Sequence, residues 1–137
     1  MKFFLSLISA ALLAACAAKS SDEQKVRALV TSVEAAAEAR DTSDVLALVA
    51  ADYSDNQGLD KSQLQNFLRG YFLSHPKIEL LVNVESLEFP VDGLARAHIG
   101  VASVSLDQIG GDSVTLDVEL RRQDGDWRVT RADRVAR

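Results

Sequence analysis

Apolar residues change their spacing twice along this chain, and each change predicts a different kind of element. Phe3 to Leu13 is a nearly unbroken apolar run behind Met1-Lys2, shorter than the roughly 20 residues that carry a helix across a bilayer. Between Ser21 and Pro76 the apolar positions follow the helical period. Val26, Leu29, Val30, Val33 and Ala37 form one stripe, with Glu23, Lys25, Arg27, Glu34 and Glu38 on the opposite face. Ser20 with Glu23, or Ser21 with Gln24, fits a capping box at the start of this first helix. Asp41-Thr42-Ser43 interrupts it with residues that prefer caps, and Val45, Leu48 and Val49 restart a second helix expected to end near Asp52-Tyr53. Ser54 to Gly58 has turn chemistry. Asp60 with Gln63 then caps a third helix, whose stripe is Leu64, Phe67, Leu68, Tyr71 and Phe72. Pro76 stops that helix, because proline disfavours helical geometry in the residue before it.

From Lys77 onward the period becomes that of a strand. Ile78, Leu80, Val82 and Val84 alternate with polar neighbours, and Leu87 and Phe89 then appear in the opposite phase. A one-residue slip would turn every side chain over, so a β-bulge near Ser86 is expected. After the turn Val91-Asp92-Gly93, the second strand shows a similar change, from Ala95, Ala97, Ile99 and Val101 to Ala102, Val104 and Leu106. Gly110-Gly111 makes the next turn. Val114, Leu116, Val118 and Leu120 form a clean third strand, and Asp124-Gly125 signals a hairpin before Trp127 and Val129. Helices followed by a meander of bulged strands predict an α+β fold: N-terminal helices packed on a curved antiparallel sheet of about four strands. The stretch Asp52-Tyr53, Gly58, Leu64, Leu68, Tyr71-Phe72, together with Asp124-Gly125-Asp126-Trp127-Arg128-Val129, resembles the nuclear transport factor 2-like (SnoaL-like) superfamily. The likeness covers about Val26 to Thr130 and implies a cystatin-type cone with a pocket between sheet and helices.

The N-terminal run gains meaning from its end, where Leu13-Ala14-Ala15-Cys16 contains the only cysteine of the chain. This resembles the lipobox of a bacterial lipoprotein signal peptide. The resemblance implies removal of residues 1–15, acylation of Cys16 as the new first residue, residues 16–21 as lipidated cysteine and short tether, and a single domain over 22–137. With Ala17 rather than Asp after the cysteine, it further implies the outer membrane, on the periplasmic side. A consumed thiol leaves no intramolecular disulfide to support the fold. The formal charge is −5, one unit more negative once Lys2 is removed, and an acidic domain is repelled by nucleic acid and by anionic headgroups. The membrane is therefore expected as a partner through lipid alone.

Candidate chemistry is sparse. The inward strand positions, Ile78 to Val84, Ala95 to Val101 and Val114 to Leu120 at alternate residues, carry no group able to move a proton. The resemblance implies that catalytic members of the superfamily place an acid/base carboxylate or His with Tyr or Asp donors inside the cone. The weak candidates for such an isomerase or dehydratase are Tyr53, Asp55 and Tyr71. Asp52 and Asp55 read first as helix-end and turn residues, and Tyr71 as a core aromatic. His75, before Pro76, reads as a helix C-terminal cap. No metal or cofactor set is expected: the two His lie on different elements, and Asp52, Asp55 and Asp60 lack calcium-loop spacing. Glu79, Glu85, Arg96, His98, Thr115, Asp117, Glu119, Arg121, Arg128 and Thr130 are expected to share the outer sheet face with Leu81. Within it Leu81, Arg96, His98 and Arg121 are candidate binding residues for a protein partner or a second copy. Arg131, Arg134 and Arg137 read as a basic strip on a C-terminal tail. The expected role is a non-catalytic domain that binds a small apolar ligand or a protein. A purely structural envelope protein is the third alternative. An enzyme would need a carboxylate buried near a tyrosine hydroxyl inside one pocket.

Overall fold

The computed structural model describes residues 21–104 and 112–135. Residues 21–38 form the first helix, α1, about 27 Å long at the usual rise per residue. Ser21 is already helical, while Ser20, and with it the first of the two expected capping boxes, lies outside the described residues. The far end of α1 closes with Arg40 at φ 55, the Asp41 N–H bonding the Ala36 carbonyl at 2.9 Å and the Arg40 N–H that of Ala37 at 3.0 Å. This is the Schellman pattern, with arginine in the position glycine usually takes. The Arg40 guanidinium reaches across to donate to the Phe72 carbonyl at 3.1 Å.

Asp41 caps α2, Thr42–Leu46, by accepting from the Asp44 N–H. This helix stops well before the expected end at Asp52-Tyr53. The reason is competition from a sheet edge: the Ala50 N–H donates to the Val129 carbonyl and the Val129 N–H to the Leu48 carbonyl, each at 2.9 Å, in a parallel bridge between Val49 and Val129. α3, Lys61–Ser74, begins with the predicted box of Asp60 and Gln63, both hydrogen bonds present, and ends one residue before His75-Pro76.

The sheet is a four-stranded meander in the order β1-β2-β3-β4, comprising β1 Leu80–Val91, β2 Leu94–Ser103, β3 Ser113–Gln123 and β4 Asp126–Arg134. The bulge foreseen in β1 lies between Val84 and Ser86. The phase change read in the second strand is not a bulge: β2 stays in continuous register with β3 from Leu94↔Arg121 to Ala102↔Ser113. Leu106 and Gly110-Gly111 lie outside the described residues. The second bulged strand is instead β4, where Glu119↔Arg131 is followed by Leu120↔Val129, leaving Thr130 unmatched. The Asp124-Gly125 hairpin forms with φ 52 and 85, the two left-handed residues a tight primed turn requires.

Two apolar clusters join helices to sheet. Val26 and Leu29 of α1 pack with Ala95, Ala97, Ile99, Val118, Leu120 and Trp127. Ala36, Val45, Phe72 and Ile78 join the three helices to the start of β1. The first cluster fills a closed tip, where Arg122 bridges Asp22 of α1 at 3.2 Å and Asp92 of the β1–β2 turn at 2.9 Å. Its guanidinium also lies 5.7 Å from the Trp127 ring centre, within cation–π range. Among the described residues, the other end, past the second cluster, is open.

Candidate functional site

The open end holds a cavity of about 710 Å³, within the size range of small-molecule sites. Its apolar wall comes from Tyr71 of α3, Leu80 of β1, Val101 of β2, Val114 of β3 and Val135 after β4. Asn56, Gln57, Ser103, Asp112, Ser113 and Arg134 complete the rim. Leu80, Val101 and Val114 are inward positions expected from the strand alternation. Tyr71 packs its ring on His75, with centroids 3.9 Å apart, and on Phe67 at 6.1 Å. Among the described residues its hydroxyl has no hydrogen-bond partner.

Arg134 was legible only as part of a tail strip. In the structure β4 runs through it, and pairing with inward Leu116 puts it on the inner face. Without the unmatched Thr130, strand alternation from Trp127 and Val129 would turn Arg131 and Asp133 inward instead. The bulge reverses the phase, and Thr130, expected on the outer face, is buried. Its hydroxyl donates to the Glu119 carbonyl at 3.2 Å. Arg131 therefore faces outward and pairs with Asp133 at 2.5 Å. Arg137 lies outside the described residues.

Tyr53 and Asp55 come together, away from the cavity. The Tyr53 hydroxyl donates to Asp55 Oδ2 at 2.7 Å, while Asp55 Oδ1 accepts the N–H groups of Gln57 at 2.9 Å and Leu59 at 3.1 Å. Tyr53 is 5% exposed. Burial, then the bond to Asp55, then the negative charges of Asp55 and Asp133 push its pKa well above the ordinary tyrosine range. A phenol so held keeps its proton and is a poor general base. The surrounding bonds fasten residues 53–56 along the edge of β4: the Ser54 N–H donates to the Thr130 carbonyl, and Asn56 exchanges bonds with the Arg134 backbone at 2.8 and 3.0 Å. Asp52 accepts weakly from Gln123 at 3.4 Å.

The outer sheet face carries the charged residues the alternation assigned to it, Thr130 excepted. His98 sits between Asp117, whose Oδ1 is 2.5 Å from Nδ1, and Glu85, 3.5 Å from Nε2. Arg96 and His98 line a shallow depression with Asp117, Arg131 and Asp133. Leu81, 65% exposed, lines a separate one nearer the mouth with Gly100 and Thr115. Arg121 lines neither depression and pairs with Glu119 at 3.0 Å. The four candidate binding residues thus share a face without forming one site. His75 approaches the Tyr71 carbonyl through Nδ1 at 2.8 Å, the capping contact expected of it. Among the described residues no cluster of three or more His, Cys, Asp or Glu is placed to hold a metal, and no helix is long and apolar enough to cross a membrane. Cys16 lies outside the described residues.

No protein-family model and no curated protein matches the chain. Solved structures do. A nuclear transport factor 2-like protein of unknown function from Pseudomonas putida aligns with a TM-score of 0.70 at 21% identity, over 86% of this chain and 88% of that one. A cystatin-like-fold domain of unknown function from Nostoc punctiforme gives 0.71 at 16% identity, over 85% and 78%. A putative calcium/calmodulin-dependent protein kinase type II association domain from Thiobacillus denitrificans gives 0.68 at 16% identity, over 80% and 94%. The fold is the nuclear transport factor 2-like cone: helices over a curved, four-stranded antiparallel sheet.

Proposed function

We propose that this chain is an envelope lipoprotein, held by acyl groups on Cys16, whose cone binds a small apolar ligand without transforming it. One observation carries the binding half: the open cavity is walled by apolar side chains from α3, from β1, β2 and β3, and from the residue after β4. The Tyr53–Asp55 pair meets the distance an acid/base enzyme would need, but neither residue lines this cavity, and both oxygens of Asp55 are engaged in holding a loop. Tyr71, which does line the cavity, is without Asp55. The apolar run before Leu13-Ala14-Ala15-Cys16 supports the anchor.

A neutral environment-sensitive dye, N-phenyl-1-naphthylamine, tests the cavity. Its emission is expected to rise and shift to the blue on adding the full chain, and Val114→Glu is expected to remove that response while leaving the thermal transition cooperative. A folded wild-type chain that leaves the dye spectrum unchanged would overturn the reading.

A further inference from the structure

The cavity is not uniformly apolar. Arg134 is delivered to its rim by the β4 bulge, and its backbone is fixed from both sides by Asn56, which accepts from its N–H at 3.0 Å and donates to its carbonyl at 2.8 Å. The other β4 arginines are differently placed: Arg128 approaches Asp126 at 3.6 Å and Arg131 pairs with Asp133. Among the described residues the Arg134 guanidinium has no hydrogen bond or ion pair. A chain with a formal charge of −5 thus leaves a cation without a partner among the described residues at the mouth of the cavity, with Tyr71 lining the same space.

We infer that the ligand is an apolar monocarboxylate, its hydrocarbon body against Leu80, Val101 and Val114 and its carboxylate on the Arg134 guanidinium. The inference rests on the cavity reading above and adds the polar end of the ligand. Guanidinium offers a planar fork of N–H donors that matches a carboxylate in two parallel bonds. A phosphate would satisfy the same fork, but Asp112 lines the mouth as well, so a second negative charge is repelled while a single one is tolerated. The apolar wall excludes small hydrophilic acids, which would leave it wet. Tyr71 supplies one further donor to a carboxylate oxygen, through a hydroxyl that makes no other bond among the described residues.

Isothermal titration of the full chain in lipid nanodiscs, corrected with empty nanodiscs, separates the two ends of the ligand. The probes are 3-phenylpropionate and 3-phenylpropan-1-ol, which differ only in the carboxylate. Wild type is expected to bind the acid roughly tenfold or more tighter than the alcohol, since a charge-assisted pair is worth at least that. Arg134→Gln is expected to erase the preference and leave alcohol binding unchanged, whereas Arg134→Lys keeps part of it. The preference should also shrink as salt is raised. Equal affinity for the two probes in wild type, or a preference that survives Arg134→Gln, overturns the carboxylate inference and leaves the cavity reading standing. Failure to bind either probe, with no response from the neutral dye, overturns both. Arg134 is exposed, so its variants are expected to fold, and a melting curve verifies this.

Discussion

At the scale of single residues, Tyr53 and Asp55 make a chemically suggestive pair whose hydrogen bonds hold a loop. The Tyr53 hydroxyl is used to close the loop that covers β4, and its raised pKa makes that role measurable. In the unfolded chain the phenol ionises near pH 10, whereas in the fold it stays protonated to higher pH. The folded state therefore binds more protons than the unfolded one above that point. The Tyr53 contribution is fully present below pH 10 and declines as pH rises past it. Chemical denaturation between pH 10 and 11.5 is expected to show wild-type stability falling more steeply than that of Tyr53→Phe, by up to about 1.4 kcal/mol per pH unit. Parallel slopes would show the hydroxyl to be ionisable in the fold. At neutral pH the same variant should cost about 1 kcal/mol for the lost hydrogen bond.

At the scale of elements, the signals that proved readable were those with a local physical origin. The Asp60–Gln63 box, the stop at Pro76 and the Asp124-Gly125 turn each depend on residues a few positions apart, and each forms as expected. Asp60→Ala should lower stability by about 1 kcal/mol and the melting temperature by about 4 °C in a calorimetric scan. An unchanged transition would mean that α3 is held by packing alone. The β1 bulge was visible because apolar residues stand on both sides of it. The β4 bulge was not, because within β4 only Ala132 is apolar beyond Val129, and the charged residues around it give no hint of phase. Residues 48–50 were misread for a related reason: Leu48 and Val49 fit a helical stripe, and nothing nearby in sequence announces that β4, eighty residues on, offers them backbone partners. The cavity wall was therefore legible and its one inward arginine was not.

At the scale of the whole molecule, the proposed anchor and the cone are connected through α1. Cys16→Ser should abolish incorporation of labelled palmitate and release the chain from the membrane fraction. Continued labelling of that variant would remove the anchor from the proposal. Four residues lie between Cys16 and Ser21, the first described residue of α1, a reach of about 17 Å even at full extension. The start of α1 lies at the closed tip, clamped by Asp22 to Arg122, which also holds Asp92. Its other end adjoins α3 and the start of β1, where Glu38 accepts from the Leu80 N–H at 3.2 Å. A chain tethered through Cys16 would thus carry its mouth on the side remote from the leaflet that holds it, roughly one helix length, about 27 Å, farther out. Cargo would have to arrive through water rather than by lateral diffusion within that leaflet. This favours compounds with appreciable aqueous solubility, as short apolar acids have, over diacyl lipids drawn from the anchoring membrane.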